Sequence, residues 1–151
     1  MKKKLLLETV LKLKADVERS ITSSYDDIVK YNFTEKQTDV LLDRVGKLET
    51  QLIIFKEIIQ EANKSKFEGK TNNHNIYFLS NLKTKKFFYD KLLKTFGRKT
   101  KDLELAQIKK EDAKSAFNQL SGEIKQFENK LSSFNSKKKV TVYLDEDLNL
   151  L

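Results

Sequence analysis

The chain has no cysteine, no proline and no tryptophan, and among its 151 residues only four glycines and one histidine. Each scarcity removes a class of explanation. Without cysteine there are no disulfides and no thiolate chemistry, which is consistent with a reducing cytoplasm. Proline breaks helix interiors and glycine weakens them, so their near absence favours long helices. A lone His74 cannot build a His/Cys metal site, nor the histidine of an identifiable Ser/His/Asp order. It reads as a surface or capping residue in the polar stretch Asn72-Asn73-His74-Asn75. No apolar run approaches membrane-spanning length. The start Met1-Lys2-Lys3-Lys4-Leu5-Leu6-Leu7 has the look of a signal-peptide n-region, but Glu8, Lys12, Lys14, Asp16 and Glu18 interrupt any apolar h-region after it. A soluble, cytoplasmic chain is the expectation.

What is present is periodic. Leu41, Val45, Leu48, Leu52, Phe55, Ile59 and Ala62 repeat at alternating spacings of four and three, and so do Ala113, Phe117, Leu120, Ile124, Phe127, Leu131 and Phe134. That 3.5-residue seam lays one helix along another. Leu6, Val10, Leu13, Val17, Ile21, Tyr25 and Ile28 repeat at about 3.67, close to an 11-residue period. They predict a first helix over 3–30, nearly straight and about 40 Å long.

Thr34 and Gln37 fit a capping box opening a second helix that runs to about residue 64. Leu52 through Ile59 then cover more than one of its faces. A polar loop over 63–75, with a turn at Gly69 and a cap at Asn72 or Asn73, leads to a third helix over 74–96. Gly97 stands where a C′ glycine belongs. Residues 103–108 suit a short strand or connector, and 110–135 the fourth helix. Val140, Val142 and Leu144 alternate with Thr141 and Tyr143, so the tail reads as a strand that pairs with 103–108 or with a neighbouring subunit. The expected fold is all-α: an elongated antiparallel bundle or coiled coil of about four helices, with a short C-terminal β element. Residues 1–135 form the bundle domain and 136–151 the extended tail.

Other constellations fail on spacing. Asp39 and Asp43, or Glu57 and Glu61, share helix faces but lack the Glu-x-x-His companion of a bundle metal site. Gly69-Lys70-Thr71 would need a glycine where Lys64 stands to make a phosphate loop. No catalytic, cofactor or metal residue is assigned, and neither enzymatic activity nor a small-molecule substrate is expected.

The formal net charge is +8. Lys83, Lys85, Lys86, Lys91, Lys94, Arg98, Lys99 and Lys101 face Asp90 alone, and Phe87, Phe88, Tyr89 and Phe96 interleave with them. Lysines could hold phosphates and the rings could stack bases. Codon bias in an AT-rich genome, such as that of many bacteria and phages, also supplies lysine without any partner demanding it.

The run Ile59…Glu61-Ala62-Asn63…Gly69-Lys70-Thr71…Leu79…Leu82-Lys83 resembles the helix–loop–helix of the septicolysin-like family of small helical bacterial proteins. The order of elements over 5–134 is similar as well. The chain departs from that pattern in lacking Arg-Asp pairs early in the third helix and in carrying the tail 136–151. The resemblance implies a helical fold and self-assembly, and it assigns no functional residue.

The leading functional expectation is a non-enzymatic self-associating or scaffold protein. Its packing and oligomer core would be Leu41, Val45, Leu48, Leu52, Phe55, Ile59, Phe117, Leu120, Ile124, Phe127, Leu131 and Phe134. The alternative is a nucleic-acid-binding accessory protein that uses Lys83, Lys85, Lys86, Lys94, Arg98 and Lys99.

Overall fold

The computed structural model describes residues 1–32, 38–98 and 106–151, without the side chains of Gly97 and Arg98. Strand β1 (Lys2–Leu6) leads into α1 (Leu7–Tyr31), followed by α2 (Thr38–Ala62) and a small hairpin of β2 (Lys66–Phe67) and β3 (Lys70–Thr71). Then come α3 (Asn72–Arg98), α4 (Lys110–Lys137), β4 (Lys139–Tyr143) and a 3-10 turn at Glu146–Leu148. Helices dominate, and the fold is a helical bundle with a small antiparallel sheet. The expected cap at Thr34 and Gln37 lies outside the described residues, as does the expected strand up to residue 105. Residues 106–108 are irregular. Helix α3 passes through Gly97 to Arg98, so Gly97 is not the residue that ends it.

The chain divides into two compact units. One, here the terminal unit, combines residues 1–65 with 134–151; the other, the inserted unit, is 66–133. The tail is therefore not a separate extension beyond residue 135.

In the terminal unit β4 pairs antiparallel with β1, from Lys2 opposite Tyr143 to Leu6 opposite Lys139. This corrects two expectations at once: residues 2–6 are strand rather than the first turn of a helix, and the tail pairs with them rather than with 103–108 or another subunit. A strand cannot leave its donors and acceptors unpaired. The segment just before α1 offers an edge within the same chain. Bonds continue past the ladder, from Leu7 N to Lys138 O (2.7 Å) and from Leu144 N to Met1 O (2.7 Å). Alternation sends Val142 fully inward and leaves Lys2, Lys4, Thr141 and Tyr143 exposed, with the Lys2 ammonium over the Tyr143 ring.

The core beneath that sheet gathers Val10, Leu13 and Val17 of α1, Leu48 and Phe55 of α2, and Val142, Leu144 and Leu148 of the tail. Along α1 the buried residues are Leu7, Val10, Leu13, Val17 and Ser24, with Ile21 packed against the core. The expected stripe is kept at Val10, Leu13, Val17 and Ile21, but Tyr25 is turned outward and Ser24 is buried in its place. Tyr25 instead reaches across to donate to Glu49 Oε1 (2.6 Å), and this bond, more than burial, raises the phenol above its ordinary value.

The broad apolar face of α2 is answered inside the chain. Leu52, Ile54, Ile58 and Ile59 pack on the core, and Ile53 stays exposed. Among these apolar side chains sits Gln51, 1% exposed. Its Nε2 donates to Tyr143 O (2.9 Å) and its Oε1 accepts from Asp145 N (2.8 Å). A carboxamide carries one donor side and one acceptor side, like a peptide unit, and here it continues the hydrogen bonding of β4 into a helix. Lys47 adds an exposed clamp on Asp147 (2.9 Å). The hydrogen bond between them, then their opposite charges, lifts the Lys47 ammonium and lowers the Asp147 carboxyl from their ordinary values.

The loop expected over 63–75 contains the β2–β3 hairpin. Glu68 (φ 52°) and Gly69 (φ 81°) both take positive φ, as a type I′ two-residue turn demands. Glycine adopts that conformation freely, whereas a glutamate there is strained. Lys130 Nζ holds Glu68 at 2.8 Å. Thr71, rather than Asn72 or Asn73, caps α3, its Oγ1 accepting from His74 N (3.1 Å).

Candidate functional site

The inserted unit is built on α3 and α4. Leu79, Leu82, Leu120 and Ile124 form its buried seam, with Tyr89, Phe127 and Leu131 packed against it. Phe78 meets Phe127 (4.9 Å between ring centroids), Lys83 pairs with Glu128 (3.2 Å), and Lys86 lies over the Phe117 ring (5.2 Å). From Phe78 to Lys86 along α3 the partners on α4 run from Phe127 and Glu128 back to Phe117, so the two helices run antiparallel.

The heptad residues divide between the units. Leu41, Val45, Leu48, Leu52, Phe55 and Ile59 lie on α2 in the terminal unit, where Val45, Leu48 and Phe55 are buried and the others half-buried. Leu120, Ile124, Phe127 and Leu131 lie in the seam of the inserted unit, Phe117 is half-buried outside it, and Phe134 is buried in the terminal unit. Their burial is within this chain.

Two helices bury one strip of α3 and leave the rest to solvent. Tyr77 is 69% exposed, Phe87 59%, Phe88 51% and Phe78 40%. Phe87, Phe88 and Tyr89 are consecutive, and successive helix positions turn by about 100°. One of the three can face the seam, and it is Tyr89. Phe88 meets Tyr89 edge-on at 5.0 Å, and Lys91 sits 4.6 Å above the Phe87 ring.

The basic residues accompany this face. Lys83, Lys85 and Lys94 are exposed and Lys86 is half-buried. Lys94 pairs with Asp90 (2.9 Å). Arg98 ends the helix with its side chain outside the described residues, as Lys99 is altogether. Charge is distributed very unevenly between the units. Residues 66–133 hold fifteen Lys and Arg against eight Asp and Glu, a formal +7; the terminal unit holds fifteen against fourteen, a formal +1. Between α3 and α4 runs a groove of about 500 Å³ with Phe87, Phe117 and Ile124 as its apolar floor, bordered by Lys83, Lys86, Asp90 and Glu128.

The remaining candidates stay apart. His74 is exposed and stacks on Phe78 (6.2 Å). Asp43 lies 3.6 Å from Lys47, and Glu61 pairs with Lys64. Among the described residues no cluster of His, Asp and Glu is arranged to hold a metal ion, and no helix is long and apolar enough to cross a membrane. Comparison of the chain with family models, with curated proteins and with solved structures found no match.

Proposed function

We propose that this chain is a non-enzymatic assembly protein that self-associates or docks onto a protein partner through its inserted unit. The carrying observation is the set of exposed aromatic side chains on α3. The second half of α2 is covered by α1 and the tail, and although α2 keeps Val40, Leu42 and Ile53 exposed, every exposed phenylalanine among the described residues lies on α3. Tyr77, Phe78, Phe87 and Phe88 are 40–69% exposed, so covering all four is worth about 3–7 kcal/mol at roughly 1.5–3 per fully exposed ring. That reaches only the lower part of the roughly 4–15 kcal/mol that association costs in lost freedom, so an interface needs further contacts beside the rings. The resemblance to septicolysin-like proteins, which implies self-assembly, supports the same reading, and a cytoplasmic location of bacterial or phage origin belongs with it.

Sedimentation velocity across the micromolar range tests the self-associating form. The expected result is a mass that rises above 17.7 kDa with concentration and falls back in Phe87→Ser/Phe88→Ser. A constant monomer mass removes self-association and leaves docking onto a partner.

The formal +7 of the inserted unit supports a second reading, a nucleic-acid-binding accessory protein. It expects oligonucleotide affinity that drops by orders of magnitude between about 50 and 200 mM salt. Replacing Lys83, Lys85, Lys86 and Lys94 with Glu should abolish it while the helical circular dichroism stays unchanged. No retention of DNA or RNA at low salt ends this reading.

A further inference from the structure

From the groove between α3 and α4 we infer a docking site for an acidic amphipathic helix of a protein partner, a deepening that rests on the docking form of the proposed function. Two antiparallel helices leave along each flank a furrow that a third helix fills to complete a bundle. Here one furrow has the required composition. Phe117 and Ile124 lie seven residues apart on α4, two helical turns, and Phe87 faces them from α3. An incoming helix with apolar residues at heptad spacing meets this strip at every second turn.

The lining alone is formally balanced, Lys83 and Lys86 against Asp90 and Glu128. Lys94, which pairs with Asp90 at 2.9 Å, and Lys91, whose ammonium stands 4.6 Å over the Phe87 ring, add two positive charges beside it, for a formal +2. Glu128 pairs with Lys83 at 3.2 Å and the Lys86 ammonium stands over Phe117 at 5.2 Å, so Lys86 and Lys91 carry that excess. Glutamates flanking the apolar stripe of the incoming helix would meet those two cations, in the way e and g residues pair across a coiled coil.

The same geometry argues against the other occupants. A second copy of this unit would bring a formal +7 onto a formal +7. A nucleic acid needs open ring faces for stacking. Phe87 and Phe117 each have a lysine over one face, which leaves at most one face of each ring to a base, and the rest of the floor is the aliphatic Ile124.

The test uses the full chain and a synthetic helical peptide of about 20 residues, some 30 Å long, with Leu at heptad positions a and d and Glu at e and g. A twin peptide carries Lys in place of every Glu, and a labelled single-stranded oligonucleotide serves as third probe. The acidic peptide should bind at least about tenfold more tightly than its twin, a difference of about 1.4 kcal/mol. Phe87→Ser, at an exposed position, should weaken that binding about tenfold with the circular dichroism unchanged. Lys86→Glu/Lys91→Glu should invert the preference between the two peptides, a readout that misfolding would not produce. Equal binding of both peptides, or binding untouched by Phe87→Ser, overturns the inference. So does oligonucleotide binding that depends on Phe87 in place of peptide binding. If the peptides fail while the chain self-associates through Phe87, the inference falls and the assembly reading stands.

Discussion

Replacing Gln51 with Leu is expected to destabilise the terminal unit by up to about 2–6 kcal/mol, because two part-buried backbone groups, Tyr143 O and Asp145 N, lose their partner at up to about 1–3 kcal/mol each. A hydrophobic residue of similar size fills the space, so the loss reports the hydrogen bonds rather than a cavity. Against a typical net stability of about 5–15 kcal/mol, this is a large fraction. Urea unfolding measures it, with Gln60→Leu, an exposed site on the same helix, as the control. Gln51→Glu gives the signed version. An ionised carboxylate still accepts from Asp145 N but turns a lone pair toward Tyr143 O. Burial and that carbonyl both favour the protonated carboxyl, so its folded-state pKa lies above the ordinary carboxylate value. The stability of this variant is then highest at acidic pH and is lost as pH rises through that raised value. A variant equally stable at acidic and neutral pH would show that the Nε2 donor contributes nothing.

The second large effect is expected on deleting 138–151. Val142, Leu144 and Leu148 are almost fully buried, and their removal forfeits about 4.5–9 kcal/mol at roughly 1.5–3 each. The deletion also removes the ladder to Lys2–Leu6 and orphans Gln51. The melting midpoint of the terminal unit should fall by more than about 10 °C. Helical signal from α3 and α4 should persist, since their seam is drawn from 66–133. An unchanged midpoint would mean that the tail adds nothing to the core it lies in.

Much of the fold was legible in the sequence, and the misses have definite physical causes. The seams of α2 and α4 were readable because heptad spacing is a local property that packing then obeys. The strand character of Val140 to Leu144 was readable for the same reason. Its partner was not. Leu5, Leu6 and Leu7 extend the apolar stripe of α1 without a break, so nothing local marks Lys2–Leu6 as strand. Pairing across 133 to 141 residues is decided by tertiary structure alone. Gln51 was invisible because a single polar residue in an apolar stretch looks like a residue facing solvent. The β2–β3 hairpin hid behind a glutamate at a positive-φ position that normally calls for Gly or Asn. The basic and aromatic character of α3 was plain from composition. Which of three adjacent rings faces the seam depends on helix rotation, which composition does not encode.

The sheet of the terminal unit joins segments from either side of the inserted unit. During synthesis from the N-terminus the inserted unit, contiguous in sequence, has all its residues made before the strand that closes the terminal unit. Lys2–Leu6 has by then waited without its partner strand, which lies 133 to 141 residues further along. Over that interval the apolar strip of Leu48 and Phe55 lacks the cover that Val142, Leu144 and Leu148 later provide. The order in which residues become available is thus set by topology: those of the surface proposed for docking come first, and those that complete the core of the terminal unit come last.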